Sequence, residues 1–156
     1  MIRLVRGPSA HARLAVISVM YGALVIGGSG VGVAQDLTRF RTPSNRIHCM
    51  FVKNEGNAEP NGIACDLDQT VIRTPIRPRP SDCEYDWGQR FELGNDSDSG
   101  LECASDWVGS DDSQVLAYGS SIKMGKIVCS SDMTGLICKN VKGHGFFLSR
   151  KVQRLF

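Results

Sequence analysis

Beyond residue 34 the chain runs in short apolar-polar alternations bounded by Gly, Pro, Asn, Asp and Ser, with almost no apolar spacing of helical period. Period two over four to eight residues is the mark of a strand with one face buried. The pattern predicts strands over Leu37–Thr42, Ile47–Val52, Ile63–Leu67, Gln89–Leu93, Leu101–Ala104, Val115–Tyr118, Ile122–Cys129, Leu136–Asn140 and Phe146–Leu148. So many short strands at close spacing predict an all-β fold, a small β-sandwich or barrel built from hairpins. Pro75, Pro78 and Pro80 cannot sit in a central strand, so the segment around them is expected to cross over along the surface. It reads as a crossover inside one domain, because neither side alone holds enough apolar residues for a core.

A phrase of glycine, aliphatic residue, any residue and cysteine recurs as Gly62-Ile63-Ala64-Cys65, Gly100-Leu101-Glu102-Cys103 and Gly135-Leu136-Ile137-Cys138. Each copy follows another cysteine, Cys49, Cys83 or Cys129, at separations of 16, 20 and 9 positions. A turn glycine followed by an aliphatic residue is how a returning hairpin strand begins. Three hairpins, each stapled by its own disulfide, are the simplest expectation. Six cysteines allow 15 connectivities and the sequence alone selects none of them. Sequential pairing is preferred because facing residues of antiparallel strands stand about 4.5–5.5 Å apart at Cα, within disulfide reach. Zinc would need closer ligand pairs such as Cys-x-x-Cys, so no metal site is expected. In the loop-entropy description each bridge contributes about 3 kcal/mol, comparable in sum with the stability of a whole domain.

The disulfide reading depends on export, and the amino terminus supplies it. Arg3, Arg6 and Arg13 precede an apolar run from Leu14 to Ile26, followed by small residues ending in Gly32-Val33-Ala34. This is the layout of a secretory signal peptide, residues 1–34, cleaved after Ala34; a retained anchor is the competing reading, and the run is interrupted by Ser18, Gly22 and further glycines. The remainder, residues 35–156, has the size of one domain, with no membrane-spanning segment left, in the periplasm or outside the cell. Removing the leader turns the formal charge from +2 to about −1, which does not indicate a nucleic-acid partner.

Charge is nevertheless segregated along the chain. Residues 81–132 hold 3 basic and 11 acidic groups, whereas residues 133–156 hold 5 basic and none acidic. The bland reading is that the two regions neutralise each other or are simply solvated. The functional reading is a basic face made of Lys139, Lys142, Arg150, Lys151 and Arg154 that attracts an anionic envelope polymer, lipid headgroups or an envelope protein.

Candidate chemistry is sparse. If all six cysteines are bridged no thiol remains for catalysis, and no cofactor motif is visible. His48 is expected to point away from the Cys49 bridge and to be a surface residue. His144, between Gly143 and Gly145, could be presented at a loop tip, where a hydrolase would pair it with Ser149 or Ser130 and Asp132. Nothing in the spacing enforces that geometry, so no catalytic residue is assigned. Carboxylate pairs such as Glu84 with Asp86 or Asp111 with Asp112 would serve glycoside hydrolysis, but acids on loops are ordinarily there for solvation. Asn95-Asp96-Ser97-Asp98-Ser99-Gly100 falls short of a calcium loop and reads as a polar hairpin turn. Trp87 is expected in the core. Trp107, among Asp106, Ser110, Asp111 and Asp112, is the better exposed recognition residue.

Arg41-Thr42-Pro43-Ser44-Asn45, Ile47-His48-Cys49, Asp86-Trp87-Gly88, Tyr118-Gly119-Ser120, the third cysteine phrase and Gly143-His144-Gly145-Phe146-Phe147-Leu148-Ser149-Arg150 together resemble a family of small bacterial secreted six-cysteine domains of unknown function. The likeness covers nearly all of the chain after the leader. It implies a signal peptide, a single domain and paired cysteines, and it transfers no activity or site residue. Such proteins often carry glycine after the serine of the first motif; this chain passes directly to Asn45, so a tighter turn is expected there. The resulting expectation is an exported, disulfide-stabilised binding module, with a small hydrolase acting on envelope polymers as the alternative. His144, Trp107, Lys142 and Arg150 are its candidate contacts.

Overall fold

Alternating side chains decide which face of each strand is buried, and the buried faces define the architecture. The computed structural model describes residues 38–53, 56, 59–68, 71 and 74–156. The expected leader and its cleavage point lie outside them. The described residues form no helix. Six strands form one sheet: β1 (Arg39–Arg41), β2 (Ile47–Val52), β3 (Gly62–Leu67), β4 (Asp86–Gly94), β5 (Ser99–Ala104) and β6 (Gln114–Val115), in the order β5-β4-β3-β2-β1-β6. Five more, β7 (Ser121–Met124), β8 (Ile127–Asp132), β9 (Gly135–Asn140), β10 (Gly145–Leu148) and β11 (Gln153–Leu155), form a second sheet in chain order. The fold is therefore all-β, two sheets that are almost pure antiparallel meanders, neither of them closed on itself.

One core joins them. Ile47, Cys49 and Phe51 of β2, Ile63, Cys65 and Leu67 of β3, and Phe91 and Leu93 of β4 share a buried cluster with Ile127, Cys129, Leu136, Cys138, Phe146 and Leu148 of the second sheet. Phe91 and Phe146 meet across it with ring centroids 6.1 Å apart. At the rim the contact is polar. Asn140 donates from Nδ2 to the carbonyls of Gly94 and Ser97, and the Ser99 hydroxyl donates to the Gly145 carbonyl at 2.6 Å. Backbone groups of the β4–β5 turn that would otherwise be stranded at the rim are satisfied in this way.

Three disulfides leave no cysteine free. Cys49 faces Cys65 on β2 and β3, and Cys129 faces Cys138 on β8 and β9, each pair with Cα atoms 4.1 Å apart. The Cys83–Cys103 bridge departs from the hairpin picture. Cys83 precedes β4, so at a Cα separation of 5.7 Å it ties the end of the proline-rich crossover to β5 instead of stapling two paired strands. That crossover is exposed from Thr74 to Asp82, and the Trp87 indole anchors it by donating to the Arg77 carbonyl at 3.0 Å.

Three strand boundaries differ from the pattern. The run expected as one strand over Ile122–Cys129 is the hairpin β7–β8, because Gly125 takes φ 56° and a side chain there would stand 2.8 Å from the Pro60 carbonyl. Only Val115 of the run Val115–Tyr118 lies in a strand, a two-residue piece parallel to β1. β11 carries too little alternation to be seen in the sequence and is held by pairing with β10. At Asn45 the turn needs φ 57°, the left-handed region that glycine enters freely and asparagine tolerates. Asn45 meets the need itself, its N–H on the Thr42 carbonyl and its side-chain oxygen accepting from Arg41.

Candidate functional site

The outward faces of the two sheets differ chemically. On the first sheet, register aligns His48, Asp66, Arg90 and Glu102 in one row across β2, β3, β4 and β5. A strap following β5 covers most of this row. Arg90 donates from Nε and Nη2 to the two carboxylate oxygens of Asp66, each at 2.9 Å. It also reaches Asp106 at 2.9 Å and the Asp106 carbonyl at 2.7 Å. Asp66, fully buried, accepts a further bond from the Val108 N–H at 2.9 Å. The hydrogen bond to Asp66 is the main reason the Arg90 pKa is raised, and the bond from Arg90 holds the Asp106 carboxyl below its ordinary range. Every charge in this cluster is satisfied, so the group anchors the strap.

His48 is a correction. Its ring does point away from the disulfide, but the strap closes over it and leaves it buried. Trp107 packs on it with ring centroids 5.1 Å apart, and its Nδ1 has no hydrogen-bond partner. Burial lowers its pKa, against the raising influence of the Asn45 carbonyl. Trp107 keeps 42% of its surface exposed and, with Asp68, Asp86, Gln89, Ser105 and Asp106, lines a shallow cavity. Trp87 is only partly buried, packed against the core margin.

His144 sits on the β9–β10 turn, its Nε2 3.1 Å from an Asp98 oxygen and its N–H on Asn140 Oδ1. The structure does not bring Ser149, Ser130 or Asp132 to it. Ser149 lies at the other end of β10 and is bonded to the backbone of Lys151 and Val152; Ser130 is paired with Ser121, and Asp132 caps its own turn through Thr134. His144 therefore belongs to the polar clasp that joins the two sheets, beside the Lys126–Asp96 ion pair. Of the two glycines that suggested a displayed imidazole, Gly143 serves the turn at φ 90°, and Gly145 begins β10, where a side chain would meet the Cys138 carbonyl.

The second sheet is basic. Residues 121–156 hold Lys123, Lys126, Lys139, Lys142, Arg150, Lys151 and Arg154 against the single acid Asp132. Lys123, Val128 and Lys139 form one outward row, and Ser130, Ile137, Phe147 and Arg154 the next. The Arg154 guanidinium lies 5.0 Å above the Phe147 ring, a cation–π contact that holds it on the sheet. Among the described residues only Lys126 of these cations forms an ion pair. Lys142 and Arg150 stand on turns at opposite ends of β10, so the basic residues form a face and not one cluster. Between the β1–β2 turn and the β8–β9 and β10–β11 turns lies a cleft of about 610 Å³. Tyr118, Met133, Phe147 and Val152 line it together with Arg46, Arg150 and Lys151.

Neither the Asp66–Arg90–Asp106 cluster nor this cleft is apparent from the pattern of residues along the chain. A signal for the cluster existed: Asp66 interrupts an apolar run next to Cys65, and an arginine stands in the following strand. Their register could not be read without the length of the crossover between β3 and β4. Among the described residues no set of three or more His, Cys, Asp or Glu is placed to hold a metal ion, and no helix is long and apolar enough to cross a membrane.

Fold and site together define a disulfide-stapled two-sheet β domain with one basic face. Residues 18–156 match a family described only as one of unknown function, DUF6636, and the chain belongs to that family. No curated protein and no solved structure matches it.

Proposed function

We propose that this chain is an exported binding module, acting in the periplasm or outside the cell, whose second sheet recognises an anionic envelope component: polymer, protein or lipid headgroups. The observation that supports this most is the division of charge between the sheets. Seven cations against one acid lie on residues 121–156, and six of those cations form no ion pair among the described residues. The first sheet and its loops carry the excess acid, which would orient the molecule in the field of a polyanion. Three disulfides and no free thiol fit an oxidising compartment. The hydrolase alternative would need a nucleophile beside His144 and Asp98, and the serines considered for that role are committed elsewhere.

Retention on immobilised polyphosphate, read at low and high salt beside a neutral polysaccharide column, tests the reading. Retention on the anionic column alone, lost with salt and weakened in a Lys139→Glu, Arg154→Glu variant, is expected. Equal retention on both columns, or indifference to the variant, would refute it.

A further inference from the structure

We propose that the end of the domain carrying the β8–β9 and β10–β11 turns docks on an anionic lipid surface. This rests on the anion-binding reading of the second sheet and names its partner. Hairpin tips are ordinarily polar, because Gly, Asn, Asp and Ser suit both the turn and the water around it. Here the β8–β9 tip presents Met133 with 84% of its surface exposed, and the β10–β11 tip presents Val152 at 44%. Tyr118, also 44% exposed, opens on the same cleft.

Cations stand on one side of these apolar groups. Arg150 and Lys151 occupy the β10–β11 turn, which is held rigid by Ser149: its hydroxyl donates to the Val152 carbonyl and accepts from the Lys151 and Val152 N–H groups. Among the described residues that line the cleft the one acid is Asp132, whose carboxylate is turned to the Thr134 N–H and hydroxyl at 3.0 and 3.1 Å, which lowers its pKa; Arg46 on the same cleft is paired with Asp68. An apolar tip flanked by cations matches an interface whose outer layer is anionic and whose inner layer is hydrocarbon. Long basic side chains keep their heads at phosphate level while neighbouring apolar groups enter below. A hydrated polymer offers nothing apolar to Met133 and Val152. That decides for lipid over polysaccharide.

The test uses residues 35–156, which hold every described strand, the core cluster and all three disulfides, so that the apolar leader does not itself enter the lipid. Co-sedimentation is measured with phosphatidylcholine vesicles, with the same vesicles containing phosphatidylglycerol, and with soluble polyphosphate. Binding to the phosphatidylglycerol vesicles in clear excess over phosphatidylcholine is expected. Replacing Arg150 and Lys151 by Gln should weaken it about fivefold for each cation removed. Met133→Ser with Val152→Ser should weaken vesicle binding and leave polyphosphate binding unchanged; both sites are exposed, and an unaltered urea midpoint checks the fold. Vesicle binding indifferent to phosphatidylglycerol or to the Met133, Val152 variant overturns the inference. Polyphosphate bound without vesicles overturns it while the anion-binding reading stands, and binding to neither removes both.

Discussion

Replacing Arg90 by Met tests whether the strap is anchored by charge. Arg90 makes four hydrogen bonds at 2.7 to 2.9 Å, two to Asp66 and two to Asp106. The partners differ in surroundings: the Asp66 side chain has no exposed surface, while that of Asp106 is 77% exposed. Without Arg90, Asp66 keeps, among the described residues, only the Val108 N–H, and a carboxylate left buried without a counter-charge costs about 3–5 kcal/mol. Asp106→Ala removes a solvated partner and should cost no more than about 1 kcal/mol. The sharper comparison is the double variant Asp66→Leu, Arg90→Met. It removes both charges and strands the Val108 N–H, at about 1–3 kcal/mol, while the loss at the Asp106 carbonyl is shared with Arg90→Met, so it should be more stable than Arg90→Met alone. Urea unfolding of the oxidised protein, followed by tryptophan fluorescence, gives the values, with Trp107 reporting the strap. An Arg90→Met cost near that of Asp106→Ala, or a double variant less stable than the single, would refute the reasoning.

The buried His48 makes stability sensitive to acid. Its pKa is lowered in the fold, so below the unfolded value of 6.5 the unfolded chain binds the extra proton first. Stability is full above that value and falls as pH drops through the folded pKa; His48→Gln should remove that component, and urea midpoints that coincide for both proteins from about pH 8 to 5 would contradict it. At Gly109 an added methyl group would meet the Trp107 indole and stand 2.8 Å from His48 Nδ1. Gly109→Ala should therefore cost about 1–3 kcal/mol and shift Trp107 emission, and an unchanged spectrum would show that the strap does not close as described. Replacing Cys129 and Cys138 together by Ala should lower stability by about 3 kcal/mol, measured as the urea midpoint against the oxidised parent.

The all-β class was legible because strand alternation depends on local sequence: Ile127, Cys129 and Ser131 point inward while Val128 and Asp132 are exposed, as period two requires. The repeated glycine-cysteine phrase marks real strand starts at Gly62 and Gly135, the first residues of β3 and β9. What failed to show depended on non-local contact. His48 looked solvent-facing because the residues that bury it arrive some sixty positions later, and nothing near His48 announces them. The cleft is formed by three turns from two sheets, and turns carry no periodicity. His144 misled for the opposite reason: its glycines do mark a turn, but that turn supplies Asn140 and Gly145 to the other sheet.

The placement of the staples has a consequence for how the domain holds together. All three disulfides lie within one sheet or its margin: Cys49–Cys65 and Cys83–Cys103 in the first, Cys129–Cys138 in the second. In the loop-entropy description each constrains only its own short loop in the unfolded chain. Association of the sheets is therefore left to the apolar core around Phe91 and Phe146 and to the rim bonds of Ser99 and Asn140. The basic sheet is held to the acidic one by burial and a few directional bonds, with Lys126–Asp96, among the described residues, the ion pair between them that does not depend on histidine protonation. Because, among the described residues, the cations elsewhere on the second sheet form no ion pair with the first, its outward face keeps its positive charge. That is the arrangement the proposed anion-binding role requires.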